Sequence, residues 1–149
     1  MSSALASLIA ELGDHPDTHH PDTHGPDIHG PEAGIVVTDP DIVASYRHDR
    51  AMDPSAGTPL AVVRPTATAQ VQTVLRWASG HRIPVVPRGA GTSLAGGALP
   101  TADSVIIGVA RMNAVLEVDF DDRFVRVQTG ATNLSVTGAI ADDGFFYAP

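Results

Sequence analysis

The sequence contains no cysteine and no lysine. Without thiols the chain can build neither a disulfide framework nor a thiolate zinc site, and cysteine usage says nothing of its redox compartment. Its nine cations are all arginine, spread thinly from Arg47 onward, and the net charge is −8. A nucleic-acid binder needs clustered cations against the phosphate backbone, so that class is excluded. Residues 1–46 contain neither Lys nor Arg, which removes the basic start of a secretory signal and the arginines of a transit peptide. No apolar run approaches the ~20 residues of a membrane-spanning helix. The expectation is a cytoplasmic protein without a membrane span, meeting a membrane surface only through a partner.

What is present is enough for one domain with a core: 149 residues, 43% hydrophobic, mean hydropathy +0.06. Leu5, Leu8, Ile9 and Leu12 recur at helical spacing, with Ser2 or Ser3 as cap and Gly13 as stop, so residues 1–13 read as an amphipathic helix. Residues 14–33 then repeat every five: DHPDT, HHPDT, HGPDI, HGPEA. Prolines 16, 21, 26 and 31 deny both helix and ladder hydrogen bonds, so residues 14–34 are expected to form a disordered or polyproline-like insert. The tract carries five of the seven histidines, and imidazoles with carboxylates can hold zinc, nickel or copper. A solvated linker is the favoured reading, because such spacers fold no ligand geometry; metal binding stands as its alternative.

From residue 35 the pattern becomes that of a folded domain. Ile35–Thr38 reads as a short strand, DPDIVASYRHD as a capped helical turn leading into irregular chain, and Leu60–Val63 as a compact strand. In TATAQVQTVLRWASGHRI, Val71, Val74, Leu75 and Ala78 make one helical stripe, capped by Thr66 or Thr68 and ended by Gly80. Ile83–Val86 and Ser104–Val109 follow as strands, and strand, helix, strand at this spacing predicts a parallel βαβ unit. Two alternating runs, Val115–Phe120 and Phe124–Gln128, flank Asp121 and Asp122 and predict an antiparallel hairpin. A helix capped by Thr132 should follow with Val136 and Ile140 inward, before the extended aromatic end GFFYAP.

PRGAGTSLAGGALP, residues 87–100, places four glycines directly after a buried strand, at the carboxyl edge where open α/β sheets take ligands. Leu94 stands where a dinucleotide fingerprint starting at Gly89 needs glycine, and Gly97-Ala98 stands where a phosphate loop starting at Gly91 needs Lys and Ser/Thr. Both fingerprints fail. What remains is a run of main-chain N–H groups, Gly89 to Ser93, with the hydroxyls of Thr92 and Ser93. Such a nest binds an anion such as pyrophosphate without a lysine. Arg88 stands beside it to balance phosphate charge, or as an ordinary surface cation. Read locally, the nest and a wide loop of turn residues stand as equal alternatives.

PLAVVRPTATAQVQTVLRWASGHRIPVVPRGAGTSLAGGALP, RMNAVLEVD and GATNLSVTGAIADDGFFYAP together resemble the flavin domain of FAD-linked 2-hydroxyacid dehydrogenases. The glycolate oxidase flavoprotein subunit and D-lactate dehydrogenases are the types concerned, within the vanillyl-alcohol oxidase and p-cresol methylhydroxylase superfamily. The likeness runs from about Ile35 to Pro149. It implies an α+β fold: a small βαβ subdomain followed by the start of a mixed or antiparallel sheet subdomain, incomplete in this chain. It also implies that Arg88, Gly89, Ala90, Gly91, Thr92 and Ser93 line the FAD diphosphate while Gly96 and Gly97 shape the loop. Relatives with an RSGGH-type loop attach FAD through the histidine; Thr92 stands at that place, so non-covalent FAD is implied. The family continues into a substrate domain with catalytic histidines, so the resemblance implies an amino-terminal part inactive by itself. The implied activity is oxidation of the CH–OH group of a small 2-hydroxyacid, with electrons passed to a further subunit. A non-catalytic flavin-binding module is the alternative in another class, and a metal-handling protein working through its His tract is the third.

Overall fold

The computed structural model describes residues 3–13 and 34–148; the His-Pro-Asp repeat and its expected disorder lie outside the described residues. Helix α1, Ser3–Gly13, buries Leu5, Leu8 and Leu12. Ile9, placed on the same stripe from spacing, is 37% exposed and sits at its margin. Strand β1 is Val36–Val37 and helix α2 is Pro40–Ser45. Asp39 caps α2, its Oδ1 accepting the N–H groups of Asp41 and Ile42 at 2.9 and 3.2 Å, and Pro40 opens the helix where its missing N–H is not needed.

Four strands make the first sheet, in the order β1-β2-β4-β3, with β2 at Ala61–Val63, β3 at Val85–Arg88 and β4 at Val105–Gly108. β4 runs parallel to both β2 and β3, while β1 is antiparallel at the far edge. Every residue of β2 and β4 is buried, as expected of strands covered on both faces. Ala61, Val63, Val105 and Ile107 pack with α1 and with helix α3, Thr68–His81. Val62 and Ile106 face the other way, onto Val37 and Val43. The expected parallel βαβ unit is present, with β4 inserted between the two strands that α3 connects.

The second sheet is a hairpin, β5 (Val115–Asp119) and β6 (Phe124–Val127), turned at the acidic pair as expected. Helix α4, Asn133–Ile140, follows a Thr132 cap and buries Val136 and Ile140. Two close approaches join the sheets. Gly130 N–H donates to Met112 O at 2.8 Å, and a β-carbon on Gly130 would strike the Val109 carbonyl. Gln128 Nε2 reaches Thr66 O at 3.4 Å.

Four details of α3 and β3 correct the sequence reading. The buried face of α3 is Gln70, Val74, Trp77 and Ala78, and Leu75 is 48% exposed. The indole of Trp77 rotates the stripe, because its Nε1–H reaches Ala4 O and Ser7 Oγ on α1, each at 3.0 Å. Neither Thr66 nor Thr68 is the cap. Ala67 occupies that position, and Gln70 Oε1 reaches back to the N–H groups of Thr66 and Ala67 at 2.7 and 3.2 Å. Gly80 does not stop the helix: His81 packs on Trp77, and the end comes at Arg82 in the left-handed region, φ 55°. There Ile83 N–H closes back on Ala78 O at 2.9 Å. Residues 83 and 84 complete this turn, so β3 starts two residues later than its apolar run and extends through Pro87, tolerated because β3 is an edge strand.

Gly130→Ala is expected to lower stability by about 2 kcal/mol through main-chain overlap, read as a lower urea midpoint at unchanged slope. Trp77→Phe is expected to cost about 1–2 kcal/mol, since the indole N–H that ties α3 to Ala4 O and Ser7 Oγ on α1 is lost, and to raise amide exchange selectively in residues 3–13. Wild-type midpoints in both variants would contradict this packing.

Candidate functional site

β3 last pairs at Arg88, opposite Gly108, and there the chain leaves the sheet. Residues 89–97 adopt no helix or strand. Gly89, Ala90, Thr92, Ser93, Leu94, Ala95 and Gly97 are exposed, and Gly91 and Gly96 half-buried. Gly91 turns the loop with φ 69°, a value costly for any side-chain-bearing residue. The N–H groups of Gly89 through Leu94 donate no hydrogen bond to any acceptor among the described residues. Six consecutive main-chain donors are therefore without an acceptor among the described residues. The next, Ala95 N–H, is taken by Ser93 Oγ at 3.1 Å, which folds the far side of the loop on itself.

A row of unpaired, exposed amides beside a strand end fits an anionic bridging group, since several partial positive charges meet one anion with no β-carbon in the way at Gly89. The loop opens no helix among the described residues, so a helix dipole adds nothing to it. The residues expected to form the site, 88–93 with Gly96 and Gly97, thus fall in one surface loop at the carboxyl end of the parallel strands.

Arg88 stands apart from the rest. Its Nη1 donates to Tyr46 O at 3.2 Å and its Nη2 to His48 O at 2.8 Å, and its guanidinium lies 5.4 Å over the Tyr46 ring. From the other side, Arg50 N–H donates to Gly91 O at 3.1 Å. Residues 46–50 therefore form a wall against the glycine loop. Sequence reading missed this wall, and no local signal marks it, because its partners lie about forty residues away along the chain. Asp49 Oδ1 takes Ala51 N–H at 2.8 Å and shapes the end of the wall. Farther along, Ser55, through its hydroxyl and its N–H, holds the Asp53 carboxyl below its ordinary range.

A cavity of about 570 Å³ lies elsewhere, between the hairpin, α4 and the end of the chain, lined by Val118, Phe120, Phe124, Val127, Phe145 and Tyr147 among others. It includes no residue of the glycine loop. Among the described residues no three His, Asp or Glu side chains converge on a metal-sized space, and no helix is long and apolar enough to cross a membrane.

A family model described as "FAD binding domain" matches residues 59–149. The glycolate oxidase subunit GlcD of Escherichia coli (strain K12) is 43% identical over 91 residues, covering 61% of this chain and 18% of the relative. Its counterpart in Bacillus subtilis (strain 168) is 38% identical, with 61% and 19% covered. A D-2-hydroxyglutarate dehydrogenase of Stutzerimonas stutzeri (strain A1501) is 33% identical over 116 residues, 78% of this chain and 25% of the relative. The chain thus spans about a fifth to a quarter of the length of these relatives. A crystal structure of p-cresol methylhydroxylase with substrate bound aligns with TM-score 0.71 at 23% identity, covering 94% of this chain and 24% of that one. At that identity the likeness carries the fold alone, and the fold is the expected α+β one. With 91 of its residues inside the family model and its strands and helices in the p-cresol methylhydroxylase arrangement, this chain belongs to the FAD binding domain family, and its cofactor is FAD.

Proposed function

We propose that the main-chain N–H groups of Gly89, Ala90, Gly91, Thr92 and Ser93 hold the diphosphate of non-covalently bound FAD, with Gly96 and Gly97 shaping the loop. The carrying observation is the run of donors in a surface loop, Gly89 to Leu94, without an acceptor among the described residues. Exposed amides can exchange water for an anion, and here the donors stand at the carboxyl edge of a parallel sheet. The hydroxyl of Thr92 is exposed beside them. Residues 35–149 form the flavin-binding unit, and residues 14–34 are an insert that takes no part in it.

The whole flavoprotein is an oxidoreductase acting on the CH–OH group of a small 2-hydroxyacid of the glycolate or D-lactate type, working in the cytoplasm and passing electrons to a partner subunit. Support comes from the relatives, two of which are by name glycolate oxidase subunits and one a D-2-hydroxyglutarate dehydrogenase. When bound, the flavin supplies the redox chemistry by accepting a hydride equivalent from the substrate α-carbon. This chain's own residues bind and orient it. On this reading the 149 residues by themselves hold flavin without turning over.

The purified chain is expected to retain FAD, seen as flavin absorbance, and to show no turnover with glycolate or D-lactate. In a titration followed by amide NMR, the signals of residues 89–93 should shift on adding FAD, whereas deletion of residues 14–33 should leave the affinity within about threefold, a change under ~1 kcal/mol. Gly91→Val should weaken FAD binding by about 100-fold, as expected from losing two charge-assisted main-chain hydrogen bonds. Loop amides that do not respond to a saturating flavin would refute the assignment.

A further inference from the structure

We propose that Arg88 is a positioning residue, a brace that locks the glycine loop against the Tyr46–Arg50 wall before any ligand arrives, and is not itself an anion ligand. The inference rests on the reading of this loop as the diphosphate site. It assigns Arg88 a different task from the charge balance that its place in the sequence implies.

The guanidinium is a planar fork, and here two of its prongs are used on neutral oxygens: Tyr46 O at 3.2 Å and His48 O at 2.8 Å. Its face lies over the Tyr46 ring. These contacts point it toward the wall and away from the solvent side of the loop. Arg50 N–H to Gly91 O, 3.1 Å, closes the same junction from the other strand of chain. Three hydrogen bonds and a ring contact therefore join residues 46–50 to residues 88–91.

Gly91 is the counterpart of this brace. A β-carbon there would overlap the Arg88 guanidinium, with Cζ at 2.7 Å. Glycine at 91 thus makes room for the arginine as well as allowing φ 69°. The consequence for binding is preorganisation. With the loop already held, the flavin diphosphate meets amides in place and the ordering cost falls on folding instead of on association. Lysine is a poor substitute, because a compact ammonium lacks the planar fork that reaches two carbonyls from separate nitrogens while its face lies over a ring.

The test uses Arg88→Lys and Arg88→Ala in the whole chain. Arg50 N–H is the reporter, since its acceptor is Gly91 O. Without FAD, both variants should speed exchange of the Arg50 amide at least tenfold while the amide of Ile106, in the sheet centre, keeps its wild-type rate. Both should also weaken FAD binding tenfold or more, with lysine giving no rescue although it keeps the charge. Gly91→Ala, which displaces the same guanidinium, should reproduce the Arg50 effect. The double variant Arg88→Ala/Gly91→Ala should lose less than the product of the two single losses. Wild-type protection at Arg50 in the lysine variant, near-normal FAD affinity with lysine, or multiplicative losses in the double variant would each overturn the brace. Should Ile106 exchange faster too in an Arg88 variant, Gly91→Ala decides the matter. If the loop amides ignore FAD in the parent chain, the diphosphate reading itself fails; if they respond and Arg50 stays protected in the variants, the brace alone fails.

Discussion

The structure depends on one strand with no exposed face. Val105, Ile106 and Ile107 of β4 are 3% exposed or less, and that requires a helical layer on one side, a second packed cluster on the other, and a parallel neighbour at each edge. Alternate residues along β2 and β4 divide the core into the cluster under α1 and α3 and the cluster under α2. Parallel neighbours need long crossovers. The chain therefore travels from β2 through α3 to β3, and from β3 through the glycine-rich stretch to β4. Placing β4 between them sends all three carboxyl ends to one edge. The loop after β3 opens at that edge because the sheet order puts it there.

The sixteen-residue connection from Gly89 to Ser104 holds no helix. β3 and β4 are adjacent and parallel, so the connection has to return the chain to the amino-terminal edge of the sheet. It does so as extended chain and turns, tied at intervals: Gly91 O to Arg50, Gly57 N–H to Pro100 O at 2.8 Å, Asp103 N–H to Thr58 O at 3.3 Å. All three ties run to residues 50–58, the irregular chain before β2. That chain serves as the backing on which the loop rests, and its lack of regular structure reflects a surface fitted to another loop.

How much of this could be read in advance follows from the distance over which each feature is decided. The hairpin, α4 with its Thr132 cap, and the burial of β4 were legible, since alternation, a capping residue and a continuous apolar run act within a few residues. On α3, Val74, Ala78 and the half-buried Val71 face inward as their spacing predicts, but Trp77 and Gln70 were not legible, because they take their places from α1 and from the helix entry, and simple hydropathy favours Leu75 over both. Gly80 misled for a related reason: one glycine costs a helix only about 1 kcal/mol, and the next residue, His81, still packs on Trp77 and bonds its carbonyl. At the site, the loop was legible as a loop and the failure of both nucleotide fingerprints was legible too. The engagement of Arg88 was invisible, since the groups that receive it are main-chain carbonyls forty residues away, and any residue types could supply those.

A chain of net charge −8 without a lysine is an unlikely host for a dianionic bridge if charge is the measure. The geometry removes the difficulty. Main-chain N–H dipoles are present at every residue but proline, do not titrate, and act at contact range, where a long cation tethered by a flexible stem loses entropy to reach the same spot. Their strength lies in alignment, and alignment has to be built. Here it is built by a glycine in the left-handed region, by a wall of chain folded against the loop, and by an arginine that turns two of its donors onto that wall. On this view the cation nearest the proposed phosphate site contributes through the shape it imposes on neutral groups. Net charge is then a poor guide to anion binding in such a fold, and the number of unpaired amides held in one surface turn is a better one.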